Sequence, residues 1–288
     1  MSNCLNEQTV NSLSVVIVSY NNYSVLSDCL LSLEKFNDIG DRLEVIVVEQ
    51  STSGGTCRDL ATSFPWVRVI RNSNDGFGAG NNVGFDVACG DVTLFLNPDT
   101  VLVEPIFSFA LNKFNALPAL GLFGVRLVDA SERRNHSFNF RKRFGLLRSV
   151  AWHFFDRFDI YIEGKMYTSG ADMFVRSAAF RDAGRFDSNM FMYNEEVDVC
   201  ERMNSLGYRC LYFPQKRIVH LEGQSSVDTD AFTRDLESLV YLSKKRGLDP
   251  KRILKSMRRD RYVKRMLQWD IEKQNHEIAL IDKKLAML

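Results

Sequence analysis

The chain has 288 residues, 45% of them hydrophobic and 25% charged, so it can bury a sizeable core, and long-range disorder is excluded over most of its length. Gly and Pro, 17 and 6 residues, are too few for a collagenous or linker-dominated protein, and no run approaches the ~18 apolar residues of a transmembrane helix. The net charge of +1 hides an asymmetry: residues 244 to 265 carry eleven Lys/Arg against Asp249 and Asp260, a local +9 that leaves −8 elsewhere. Nucleic-acid binders spread basic residues over their main domain, so no nucleic-acid partner is expected.

The N-terminal stretch MSNCLNEQTVNS has neither a basic nor an apolar region of the kind a secretory leader needs. Leu13 to Val18 (LSVVIV) is a short β-branched run of the type found in buried parallel strands. Val25, Leu26, Cys29, Leu30, Leu33 and Phe36 then recur at helical spacing. Leu43 to Val48 and Val67 to Ile70 read as further strands, Gly78 to Ala88 as a helix, and Val92 to Leu96 as a fourth strand stopped by Asn97-Pro98. Strands alternating with helices predict an α/β fold with an open, mostly parallel sheet flanked by helices. Ligands of such sheets sit beyond the carboxyl ends of the strands. Polar clusters fall there: Ser19-Tyr20-Asn21, Glu49-Gln50-Ser51, Asn72 to Asp75, and Asn97-Pro98-Asp99.

The middle of the chain is mixed. Leu120 to Val128 reads as a strand, Arg133 to Arg148 as a basic segment with Phe138, Phe140 and Phe144, and Met166 to Val175 as one strand followed by a helix over Ser177 to Ala183. Strands are expected at Tyr208 to Phe213 and Arg217 to Leu221, and beyond Asp230 the pattern is helical and increasingly basic. Six scattered cysteines (Cys4, Cys29, Cys57, Cys89, Cys200, Cys210) form no CxxC pair and are expected to be reduced small hydrophobes in a cytoplasmic protein.

Four features carry chemistry. Pro98 fixes a turn and lacks an N–H, so Asp99 is displayed at a strand tip, where a carboxylate suits a hard divalent cation or simply completes a β-turn. Asn74 to Gly84 (NDGFGAGNNVG) is glycine-rich and opens a helix, as phosphate-accepting loops do, although it has no GK[ST] and equally suits helix–sheet packing. The segment MYNEEVD opens another helix. On a wheel of about 100° per residue, Glu196 falls inside the apolar arc of Val199, Cys200, Met203 and Leu206, while Asp198 and Arg202 fall outside it. An inward acid at a helix start is a general-base candidate. His220 ends the apolar strand RIVHL, as a structural histidine or a ligand.

Taken in order, VVIVSYNN, LEVIVVEQS, NDGFGAGNNVGF, LFLNPDT, SGADMFVRSAAF, GRFD, FMYNEEVDVCERMNSLGY and IVHLEGQSS resemble the family 2 inverting glycosyltransferases of GT-A fold, especially their rhamnosyltransferase-like branch. The match runs from Ser14 to about Ser226. The resemblance implies transfer of a sugar, rhamnose favoured, from a nucleotide diphosphate donor to a glycan acceptor on a lipid carrier, in bacterial surface polysaccharide synthesis. It also implies a divalent cation, magnesium or manganese, held by Asp99 and approached by His220, with Asn97 where the first acid of a DxD motif would stand. Glu196 matches the acceptor-deprotonating base, with Glu195 a lesser candidate. Ser19, Tyr20, Asn21, Glu49, Asn74, Gly76, Asn81 and Asn97 are the nucleotide-sugar candidates. Glu49-Gln50 replaces the usual Asp-Asn, which leaves the nucleotide open, and Asp172 stands in a segment usually more apolar, where an acceptor could be read.

The expected organisation is a catalytic domain over 1–230, with a nucleotide-binding half at about 13–100 and an acceptor half at about 101–230, and a helical basic extension over 231–288. The basic extension implies an anionic membrane surface as a partner, on the cytoplasmic face of the inner membrane. Its apolar residues Ile253, Leu254, Met257, Val263, Met266 and Leu267 do not form one narrow stripe, so electrostatic attraction rather than deep insertion is expected. Nucleotidyl transfer is disfavoured, because VSYNN replaces the glycine-rich basic loop that chemistry needs after the first strand. A non-catalytic sugar-nucleotide or glycan-binding protein on the same fold is the alternative from another class.

Overall fold

The computed structural model describes residues 9–51, 55–141, 152, 154–221 and 231–288. Cys4, His153, residues 142–148 of the basic segment and Glu222 to Ser226 lie outside the described residues. Four parallel strands, β1 (Leu13–Ser19), β2 (Leu43–Glu49), β3 (Val67–Arg71) and β4 (Val92–Leu96), stand in the order β3-β2-β1-β4. The sheet continues through β9 (Asp172–Arg176), antiparallel to β4 and to β6 (Leu120–Val128). It ends with β10 (Arg209–His220), parallel to β6, and β5 (Thr100–Leu102), antiparallel to β10. A two-stranded ribbon of β7 (Phe138–Phe140) and β8 (Met166–Thr168) stands apart.

Helices cover both faces, so the central strands are apolar on both sides, as the unbroken β-branched runs require. Val15 and Ile17 of β1 pack with Leu26 and Leu30 of α1 (Tyr23–Lys35) and Phe107 and Phe114 of α4 (Phe107–Ala116). The intervening Val16 joins Phe85 of α3 (Phe77–Val87), Phe180 of α5 (Ser177–Asp182) and Val199 and Met203 of α6 (Glu195–Ser205) on the other face. Helix α2 (Gly55–Ser63) connects β2 to β3. Each such fully buried side chain contributes about 1.5–3 kcal/mol. Helix α3 lies close on the sheet because Gly84 has no Cβ: one added there would stand 2.3 Å from Val16 Cγ1.

The segment 166–175 is not the single strand expected. It breaks into β8 and β9 around Ser169-Gly170-Ala171, because β8 pairs with the ribbon while β9 pairs with β4 and β6, and one straight strand cannot serve both. Conversely, the two strands expected over 208–221 are one, with an irregularity between Phe213 and Arg217 where Pro214 offers no N–H. Cys29, Cys200 and Cys210 are buried and free, Cys57 is half-buried and Cys89 exposed. Burial pushes the Cys29 thiol up to about 12, in keeping with a small-hydrophobe role.

Residues 231–288 carry α7 (Ala231–Lys245), α8 (Pro250–Met266) and α9 (Ile271–Ala286). Leu236, Val240, Leu254, Met257 and Ile281 give them a core of their own. Asp249 caps α8 by accepting from the Lys251 N–H at 2.9 Å, with Pro250 at the first helical position. Among the described residues no helix is long and apolar enough to cross a membrane.

Candidate active site

The carboxyl ends of β1, β2 and β4 form one rim, and the end of β10 is brought to it by the short strand β5. Val219 pairs with Val101 and His220 with Thr100, and the Leu221 N–H donates to the Asp99 carbonyl at 2.9 Å. That register sets His220 Nε2 3.3 Å from Asp99 Oδ1. Asp99 is 1% exposed. The turn that displays it is held by Thr100, whose Oγ1 donates to the Asn97 carbonyl at 2.7 Å, while the Asn97 N–H donates to Ala171 O at 3.0 Å. The Asn97 side chain is half-buried at the rim.

The glycine-rich loop packs against the segment that leads into α6. Gly76 has φ +104°, and a Cβ there would fall 2.2 Å from the Phe191 carbonyl oxygen, which already accepts from the Phe77 N–H at 2.8 Å. Asn82 of α3 binds that segment too, donating to Phe186 O at 2.9 Å and accepting from the Phe186 N–H at 3.1 Å. The start of α3 is thereby fixed against the segment leading into α6. Tyr193 and Asn194 in that segment have φ of 73° and 74°, two consecutive left-handed non-glycine residues. They are held by α7: Asn194 Nδ2 donates to Asp235 Oδ1 at 2.9 Å and Ser238 Oγ to Met192 O at 2.7 Å.

The acids of α6 are arranged differently from the wheel. Glu195 and Asp198 are buried, and Glu196 is only half-buried. The Glu195 Cγ lies 3.3 Å from where a Gly78 Cβ would be, wedged against α3. Asp198 accepts from Arg202 at 2.8 Å and from Lys245 of α7 at 3.0 Å. The wheel counted only the apolar side of α6, whereas α3 and α7 cover two further sides of its first turn. Glu196 is therefore the acid of the pair that solvent reaches, for the opposite reason to the one the wheel suggested.

The remaining nucleotide-sugar candidates divide. Tyr20, Asn21 and Asn74 are exposed at the rim. Ser19 and Glu49 are fully buried: Glu49 Oε1 accepts from the Ser51 N–H at 2.8 Å, and Ser51 Oγ accepts from the Asn21 N–H at 2.6 Å. Glu49 thus shapes the loop that presents Asn21. Asn81 is also buried and turns back to donate to Phe77 O at 3.0 Å, inside α3. Asp172 is wholly buried where β6 and β9 splay apart, and its Oδ2 accepts from the Val125 N–H at 2.6 Å in place of a ladder bond. Burial raises its carboxyl well above the usual range, opposed only by that bond.

The family model described as glycosyltransferase like family 2 matches residues 11–237. The chain belongs to this family. It is 25% identical over 257 residues to the rhamnosyltransferase WbbL of Escherichia coli K12, covering 81% of this chain and 94% of that protein. Over 60 residues, 21% of this chain and 20% of the relative, it is 35% identical to an N-acetylglucosaminyl-diphospho-decaprenol L-rhamnosyltransferase of Mycobacterium tuberculosis. In fold it is similar to the mannosyltransferase PcManGT of Pyrobaculum calidifontis, solved with GDP-Man and Mn2+, at TM-score 0.57 and 14% identity over 98% of this chain and 76% of that one. The GT-A fold of a rhamnosyltransferase-like family 2 protein is thus established for residues that span both halves of the sheet.

In this glycosyltransferase-like site the donor set fits a divalent cation of a particular kind. Asp99 supplies a hard oxygen and His220 a nitrogen, but among the described residues no group of three His, Cys, Asp or Glu gathers to hold a metal. Two protein donors suit a cation whose remaining positions are filled by phosphate oxygens and water. Sequence reasoning missed the residues that hold the site together: Asn82, Asp187, Asp235, Ser238 and Lys245. The Asn82 contact spans more than a hundred residues, and α7 reads from sequence as a tail; no local pattern signals either.

Proposed function

We propose that the chain is an inverting glycosyltransferase that moves a sugar, rhamnose favoured, from a nucleoside diphosphate donor to a hydroxyl of a lipid-linked glycan acceptor in surface polysaccharide synthesis. The observation that carries the reading is the Asp99–His220 pair at the joined tips of β4 and β10, on the rim where the exposed Tyr20, Asn21 and Asn74 also stand. The similarity to the two rhamnosyltransferases supports the sugar, and the name of the mycobacterial relative supports a lipid diphosphate acceptor. Magnesium or manganese bound by Asp99 and His220 would offset the charge that builds on the departing diphosphate.

The protein's own residues do the rest. Tyr20 and Asn21 face the nucleoside, and the loop at Asn74 to Gly76 stands on the donor side. Glu196 accepts the proton of the acceptor hydroxyl as its oxygen attacks the anomeric carbon and the bond to the nucleoside diphosphate breaks on the opposite face. The catalytic unit is placed at 1–230, with 231–288 as an extension that both braces α6 and carries positive charge to the anionic cytoplasmic face of the membrane. Calorimetry with manganese and a panel of dTDP-, UDP- and GDP-sugars tests the reading. Asp99→Ala should lose manganese-dependent donor binding and turnover while keeping its fold. Unchanged donor affinity in Asp99→Ala would remove the metal assignment, and binding without transfer to any acceptor would leave a sugar-nucleotide-binding module instead.

A further inference from the structure

Basic residues in the C-terminal extension are numerous, but several are spent inside the protein. Lys245 pairs with Asp187 and Asp198, Arg246 with Glu201, Arg258 with Asp282 and Arg261 with Glu277. Three of the basic residues left to solvent form a row. Arg252, Lys255 and Arg259 are exposed, have no ion pair among the described residues, and follow one another at the three- and four-residue spacing of one helix face. That face is opposite Leu254 and Met257, which are buried in the helical core. Seven residues beyond Arg259 the same row reaches Met266, at the turn between α8 and α9.

The turn itself is unusual in composition. Met266 is 80% exposed, Leu267 52%, Trp269 42% and Ile271 47%, four large apolar side chains within six residues. Surface turns ordinarily use small polar residues, and a cluster of this kind marks a contact site. The backbone beneath is closed on itself: Leu267 N–H donates to Val263 O, Gln268 N–H to Arg265 O and Trp269 N–H to Lys264 O, each at 3.0 Å. Gln268 and Asp270 take left-handed φ of 60° and 41°, and the Asp270 carboxylate caps α9 through the Lys273 N–H at 3.2 Å. The tip is thus a closed turn that presents its apolar side chains outward. Its acids, Asp270 and Glu272, are outnumbered by Lys264, Arg265 and Lys273.

We propose that the α8–α9 turn is a membrane wedge: Met266, Leu267, Trp269 and Ile271 enter the acyl boundary of an anionic bilayer while Arg252, Lys255 and Arg259 lie along the headgroups. The inference rests on the membrane-surface part of the reading above and is independent of sugar transfer. It also revises the expectation of attraction without insertion. That expectation looked for a stripe along a helix, whereas the apolar residues gather at a helix end. Anionic lipid is the occupant because the helix face that leads to the tip carries Arg252, Lys255 and Arg259 with no acid among them, and an indole at the edge of an apolar cluster is the side chain favoured at a bilayer interface.

The test uses the full chain with Trp66→Phe and Trp152→Phe, so that Trp269 is the sole tryptophan, excited apart from the tyrosines. Vesicles of phosphatidylcholine alone are compared with vesicles containing one quarter phosphatidylglycerol. With the anionic vesicles the Trp269 emission should shift to the blue and be quenched by lipids brominated on the acyl chain. Met266→Asp/Leu267→Asp should weaken binding at least tenfold with an unchanged melting temperature, and Arg252→Gln/Lys255→Gln/Arg259→Gln should weaken it and flatten its salt dependence. Salt-reversible binding that survives the Met266/Leu267 change without quenching would overturn the wedge and leave the electrostatic reading standing. Absence of binding to anionic vesicles would overturn both. Dimerisation in ultracentrifugation that the same double change abolishes would reassign the tip to a contact between copies.

Discussion

Lys245→Met tests whether the C-terminal helices are part of the catalytic unit or an appendage. The ammonium lies 2.7 Å from Asp187 Oδ2 and 3.0 Å from each oxygen of Asp198, tying α7 to both the loop before α6 and the first turn of α6. A hydrogen bond to a charged group contributes about 1.5–3 kcal/mol. Neither acid is left bare by the change, since Asp198 keeps Arg202, and Asp187 keeps the Tyr241 hydroxyl at 3.0 Å and the Asn189 N–H at 3.1 Å. A third of the Lys245 side chain is exposed, which screens the pair further. The net loss should be about 2 kcal/mol, a fall of about 4 °C in melting temperature for a chain of this length.

The loss should carry a pH signature. Burial alone would raise the Asp187 carboxyl, but bonds from Lys245, Asn189 and Tyr241 outweigh it and hold the group well below the usual range. A depressed carboxyl contributes stability that is present above its unfolded value of about 4 and is lost as pH falls through the folded one. Burial would lower the Lys245 ammonium, but Asp187 and Asp198 outweigh it and raise the group, so its contribution is full below the unfolded value of about 10.4 and is lost above it. The gap between parent and variant should therefore be widest from about pH 5 to 9 and shrink in acid. Scanning calorimetry at pH 7 and pH 3.5 measures it. An unchanged melting temperature at pH 7, or a gap that persists undiminished in acid, would refute the brace.

Other outcomes follow from single contacts. Glu196→Gln should lower kcat by roughly 10²-fold with donor affinity retained, whereas Glu195→Gln, against Gly78, should act mainly on melting temperature; steady-state kinetics with calorimetry on both variants separates the roles. Gly76→Ala combines a strained φ with a clash on Phe191 O and should cost about 3 kcal/mol, read by urea denaturation, with loss of donor binding before loss of fold. Asp172→Asn keeps an acceptor for the Val125 N–H and removes a carboxyl whose raised pKa makes the parent lose stability as pH climbs above the unfolded value. The melting-temperature difference, variant minus parent, should be more positive at pH 8 than at pH 5.

The local part of this protein was set by its sequence. The β-branched runs at Leu13 to Val18 and Leu43 to Val48 become buried parallel strands because four consecutive apolar residues, Val15 to Val18 and Val45 to Val48, need cover on both faces. Pro98 ends β4 because it has no N–H to continue the ladder. Those features depend on near neighbours, so the rim of polar clusters was legible without coordinates. Burial on the far side of an element is another matter, because it depends on what arrives from distant sequence. Glu195 rather than Glu196 is the buried acid because α3 and α7 pack on sides of α6 that the apolar period does not describe. Asp172 becomes the replacement for a missing ladder bond only once β6 and β9 diverge. The same holds at the C-terminus, where ion pairs with Asp187, Asp198, Glu201, Glu277 and Asp282 decide which basic residues remain outside, and a turn decides that Met266 and Trp269 do too.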